Sequence, residues 1–144
     1  MASVERYDNS RSPIIIRAQE GTATQTFDAG DLVKWEAAGR FIIGTSGAFT
    51  AIARKDATGT AATVLEFELI DPNQIYVMTA SDTTAQVDVG NKFDVTFTAG
   101  AHTVADSASG ADGIIVGLHP EDGPKEDGRY LVRFLSTVVL ANYA

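Results

Sequence analysis

Along this chain, β-branched and aromatic residues recur in short runs bounded by Gly, Asp, Asn, Ser or Pro. That spacing predicts strands of about five residues rather than helices. Strands are expected near 14–19, 22–27, 32–36, 40–43, 49–54, 63–70, 75–79, 92–98, 114–118 and 130–140. Two of them alternate cleanly. Leu65, Phe67 and Leu69 are expected to face inward with Glu66 and Glu68 in water, and Phe93, Val95 and Phe97 inward opposite Lys92, Asp94 and Thr96. Strands half-buried in this way belong to antiparallel sheets. Gly44-Thr45-Ser46-Gly47 reads as a hairpin loop, and Asp71-Pro72-Asn73 as another reversal. No segment carries a long apolar stripe of period 3.6. The one helix candidate begins at Ser81 or Asp82, whose side chain is expected to cap Thr84 or Ala85, and stops by Gly90.

The expected fold class is therefore mainly β, a small antiparallel barrel or sandwich with one short helix. Residues 1–13 form a polar stretch ended by Pro13 and are read as an extended N-terminal arm. Residues 14–144 are read as a single β-rich domain. A bare terminal stretch usually frays. This one carries Val4 and Tyr7, leads into Ile14, Ile15 and Ile16, and has Arg6, Arg11 and Arg17 among them. Anchors interleaved with charge suit a segment that orders on a partner.

Composition narrows the classes. With 44% hydrophobic and 21% charged residues the chain belongs with folding globular proteins, not disordered ones. The longest apolar runs, such as Val138-Val139-Leu140-Ala141, fall far short of the roughly 20 residues a membrane helix needs. No membrane partner is expected, and Met1–Arg6 lacks the basic and apolar regions of a secretory signal. Without cysteine there are no disulfides, and the usual structural zinc ligands are missing. The net charge of −8 is uneven: residues 1–55 carry +1 and residues 56–144 carry −9. Such a body repels phosphate backbones, so nucleic acid is not an expected partner.

Candidate chemistry is sparse. The only histidines are His102 and His119, neither in a nucleophile-elbow context, and both read as surface or turn residues. His119 stands where it could pair with Glu121 or Asp122. The acidic turns Asp106–Gly113 and Glu121–Gly128 do not match a calcium loop and read as solvated hairpin loops. Glu66 and Glu68, facing outward on one strand, are not a glycosidase pair. The phenylalanines read as core, while Trp35, Tyr76, Tyr130 and Tyr143 carry polar handles suited to an interface. No glycine motif for nucleotide phosphates is present. The chain is read as a non-enzyme with no catalytic residue, metal or cofactor.

The segments Asp28–Val33, Gly44–Gly47, Ala51–Ala53, Ser81–Gly90, Phe93–Phe97, Ala99–Val104, Gly117–Asp122 and Gly128–Phe134 together resemble the head decoration, or capsid cement, proteins of tailed bacteriophages. The resemblance spreads over most of residues 14–140. It implies a β-barrel or β-tulip-like body on the outer surface of an icosahedral virion shell, bound to the major capsid protein and to further copies of itself. A homotrimer is the implied assembly, with a dimer as the alternative. An N-terminal segment lying across capsid subunits would make Val4, Tyr7, Arg11, Ile14 and Ile15 the partner contacts, with the acidic body facing solvent. Two other readings stand beside it: a phage tail or fibre component, and a small carbohydrate-binding β-sandwich using Trp35 or an enzyme with a diffuse site.

Overall fold

The computed structural model describes residues 4–36, 39–45, 49–61, 63–106 and 112–135. Among them run β1 (Glu5–Arg6), β2 (Ile15–Glu20), β3 (Leu32–Glu36), β4 (Arg40–Ile43), β5 (Ala51–Ala53) and β6 (Val64–Leu69). After β7 (Tyr76–Thr79) comes a 3₁₀ turn, Gln86–Asp88, then β8 (Lys92–Thr98), β9 (Ala101–Asp106), β10 (Gly113–Leu118) and β11 (Arg129–Phe134). The protein is mainly β, as the spacing of apolar runs required. Two bodies share the chain. Strands β2-β4-β3-β5-β6 close into a barrel, and the rest form a six-stranded sheet in the order β1-β7-β11-β10-β8-β9.

The barrel interior is filled by Val33, Phe41, Ala51, Leu65 and Phe67, with the Phe41 and Phe67 rings 4.7 Å apart. Leu32 and Ile52, the neighbours of Val33 and Ala51, point the other way, into a second core shared with Tyr76, Met78, Phe93, Ile115 and Phe134 of the sheet. The first two residues of β3 and the whole of β5 are thus covered on both faces, and all three residues of β5 are buried. Period-two alternation sorts a strand with one wet face; here both faces are dry.

The sheet curls until its far strand returns to β7. Along the edge of β7 away from β11, β1 pairs antiparallel with Tyr76 and Val77, and beyond them Ala80 bridges Val104 of β9. Ser81 N–H donates to the Val104 carbonyl at 2.9 Å. One bridge therefore makes the seam, and a two-residue strand covers the β7 edge next to it.

Several expectations need correction. No strand runs over 22–27. Gly21 passes so close to β4 that a Cβ there would sit 2.3 Å from Ile42 Cγ2, and side chains replace the ladder: Thr22 N–H donates to Glu36 and Ile43 N–H to Gln25. This segment carries buried Phe27 into the barrel core, against Phe67. The Gly44–Gly47 connection is not a hairpin, because β4 and β5 lie on opposite sides of β3; Ser46 and Gly47 themselves are outside the described residues. The barrel is not wholly antiparallel, since β2 and β4 run parallel. In place of the short helix there is one 3₁₀ turn, entered at Ala85, whose N–H donates to Asp88 Oδ2 at 3.1 Å; Asp82 instead accepts from Thr83 N–H.

Strand β9 was not anticipated. Its hairpin with β8 turns through Ala99 (φ 53°) and Gly100 (φ 80°), both left-handed, and an alanine in the first of those places gives no sequence signal. Residues 107–111 of the first acidic turn, 136–140 of the last expected strand and Tyr143 are outside the described residues.

Candidate partner-binding surface

The N-terminal segment is bonded to its own body from Val4 onward. Val4 is buried in the shared core, and its N–H donates to the Gly30 carbonyl. Beyond β1, Tyr7 N–H donates to the Ile75 carbonyl. Arg6 crosses beneath the segment, donating to Gln74 Oε1 at 2.8 Å and to the Arg11 carbonyl, with its Nε 3.6 Å from Glu68. Gln74, itself buried, returns a bond to the Asp8 carbonyl. Hydrogen bonds from Ser10, and then Gln74, hold the Asp8 carboxyl below its ordinary range.

The five sequence-selected contacts therefore separate. Val4 is a core residue. Arg11 is taken up by Asp71, Nε to Oδ2 at 2.5 Å. Burial pushes the Asp71 carboxyl up, but bonds from Arg11 and the Asn73 N–H outweigh it and leave it below the usual range. Tyr7 stays 39% exposed and meets His119 edge-on, ring centres 6.1 Å apart. Ile14 and Ile15 are 58% and 41% exposed at the start of β2. They are fixed in place by the Leu69 N–H bond to the Ile14 carbonyl and the pairing of Ile15 with Glu68. Ile16, one residue on, turns into the barrel wall. Two neighbouring isoleucines held in water where a strand begins are unlike a core pattern.

Beside them Glu68, expected outward, is 4% exposed because β1 lies over it; Arg54 Nη1 reaches its Oε1 at 2.7 Å. Val4, Arg6, Gly30, Arg54 and Glu68 line a groove of about 380 Å³ between the N-terminal segment and the barrel.

His102 is not a surface residue. It is buried on β9, accepts from Leu32 N–H at Nδ1 (3.3 Å) and contacts the Gly44 carbonyl with Nε2 (2.6 Å). With Nδ1 accepting, Nε2 is the donor, and the ring bonds the sheet to the barrel backbone on both sides. Asp31 Oδ1 stands 3.7 Å from Nδ1, while Asp31 Oδ2 accepts from Asp28 N–H. His119 meets Glu121 through its backbone: Glu121 N–H donates to Nδ1 at 3.2 Å. Asp122 is held well below the carboxylate range by its two-pronged bond from Arg129.

Tyr76 and Tyr130 are buried, with hydroxyls bonded to Asp71 N–H and Asp88 respectively. Asp112, at the end of an acidic turn expected to be solvated, is buried and accepts from Val95 N–H at 2.7 Å. Burial pushes its carboxyl up. Trp35 remains 37% exposed, edge-on to Phe41 at the end of β3.

Among the described residues, no three His, Asp or Glu side chains are placed to hold a metal ion. Nor, among those residues, is any helix long and apolar enough to cross a membrane. No protein-family model matches the chain, and no curated protein matches it significantly.

Proposed function

We propose that this protein is a non-enzymatic structural virion protein that binds the outer surface of an icosahedral phage capsid and stabilises the lattice of the major capsid protein. The observation that carries the reading is the pair Ile14 and Ile15, exposed at the hydrogen-bonded start of β2 next to the docked N-terminal segment. An apolar anchor preset in this way loses little conformational entropy on binding. Tyr7 adds an amphipathic ring, and Val4 and Arg11 act indirectly, by tying the segment down. The acidic later body remains toward solvent. A ligand that prefers the mature lattice to the precursor lattice stabilises the mature one by that difference in affinity. Several copies acting together would multiply weak contacts by about 10²-fold or more.

The test is co-sedimentation of the full chain with mature and precursor shells. The wild type should pellet saturably with mature shells, and the double variant Ile14→Ser, Ile15→Ser should lose that binding while keeping its circular dichroism spectrum. Equal pelleting by the variant would overturn the assignment of the anchor. No pelleting by the wild type on either shell would overturn the capsid reading. One observation favours a second reading: the half-exposed Trp35 ring suits a sugar face. Glycan-array binding that Trp35→Ala abolishes would establish that reading instead.

A further inference from the structure

Most of the later half of the chain is acidic, yet the outer face of β10 is apolar and flanked by positive charge. Ile114 and Val116 alternate outward there, 36% and 37% exposed, while Ile115 between them is fully buried. With Pro72, Asn73 and Leu135 they line a groove of about 500 Å³. In register with Ile114 stand Lys92 on one side and Arg133 on the other. Arg133 is held over the groove by bonds to the Pro72 carbonyl and Asn73 Oδ1. These are two of the four cations in residues 56–144, a stretch of net charge −9.

The same chain carries the opposite arrangement. Val87 is 79% exposed at the tip of the 3₁₀ turn, more than any other large apolar side chain among the described residues. The turn is pinned, with Asp88 N–H donating to the Ala85 carbonyl and Gly90 N–H to the Ile115 carbonyl at 2.7 Å. Val87 is therefore a fixed projection. Asp88, the next residue of the turn, lines a cleft of about 300 Å³ together with Asp82 and Asp106. An apolar projection beside an acidic cleft and an apolar groove flanked by cations are complementary in both respects.

We propose that the Val87 turn of one copy docks into the Ile114–Val116 groove of a second copy, with Asp82 and Asp106 facing Lys92 and Arg133. A second copy is the occupant because both halves of the match lie on this one chain. The contact is small, so it acts weakly in free solution and gains from repetition on a lattice. Only that last gain rests on the proposed capsid role.

Sedimentation equilibrium of the full chain, without shells, reads the contact directly. The mass should rise with concentration, and more so at low salt than at high salt. Val87→Asp and Ile114→Glu should each raise the dissociation constant about tenfold or more, as loss of a central contact does. Lys92→Glu, on an exposed side chain that leaves the core untouched, should raise it less. An equimolar mixture of Val87→Asp and Ile114→Glu should associate better than either alone, since one intact projection and one intact groove remain. A strictly monomeric wild type, association indifferent to these substitutions, or a mixture no better than its parts would each overturn the proposal. Shell binding by a strictly monomeric protein would sink this inference alone; self-association without shell binding would sink only the capsid reading.

Discussion

The barrel and the curled sheet close by different means. Around the barrel every neighbouring pair of strands is joined by a ladder, from the two-residue pairings of β2 with β4 and β3 with β5 up to the five-residue register of β2 on β6. The sheet closes on β7 only through the single bridge from Ala80 to Val104, while β1, two residues long, lies along the rest of that edge of β7. A barrel with continuous ladders has no edge to protect. The sheet has one, and the N-terminal segment covers it. A stretch read from sequence as an arm for a partner is thus also the seal of its own protein.

The largest effect should come from the barrel core. Phe67→Ala removes a ring with no exposure that packs on both Phe27 and Phe41, and should cost about 3–5 kcal/mol in urea denaturation. A loss under about 1 kcal/mol would mean that the barrel is not packed around this ring.

Removing residues 1–13 should come next, at about 2–3 kcal/mol, from the burial of Val4 and the lost hydrogen bonds of the segment. The location matters more than the size. Hydrogen exchange should quicken at the seam, in β7 and β9, while β2, β3 and β6 stay protected. Uniform quickening would show that barrel and seam unfold together. Unchanged rates would show that the seam holds without the segment. Because of this coupling, truncation is a poor test of partner binding, and the two isoleucine substitutions are the cleaner one.

A smaller effect lies at high pH. Burial pushes the Tyr76 hydroxyl up to about 12, and the neutral form is the one the fold keeps. Its contribution to stability is complete below the ordinary tyrosine value near 10 and is lost as pH rises through about 12. The urea midpoint should fall across that window, and Tyr76→Phe should flatten the fall. An equally steep decline in the variant would assign it to other groups. Since Tyr76 sits on β7, beside the seam, this measurement probes the sheet rather than the barrel.

Part of the candidate surface was legible from residue types. Ile14, Ile15 and Tyr7 stood out as anchors, and they are exposed. Val4 has the same apolar character but lies inside, because the pairing of Glu5 and Arg6 with β7 draws it into the core. The groove on β10 and the projecting Val87 carried no signal of their own. Ile114 and Val116 look like any buried strand until the layers show which face is bare, and a lone valine between polar residues is unremarkable until a pinned turn holds it out.

The sequence by itself determined that this is a β protein with short strands, where most of those strands lie, and that its later body is acidic; these follow from local spacing and summed charge, which need no partners in space. The tertiary structure alone decided which faces are dry. It buried β5 on both sides, turned Glu68 and His102 inward, replaced the expected strand at 22–27 with a segment carrying Phe27 into the barrel, and set β4 and β5 on either side of β3. Each of these depends on contacts between residues far apart in the chain. A pattern of period two says that a strand has two faces, but only the neighbouring layer settles what each face meets.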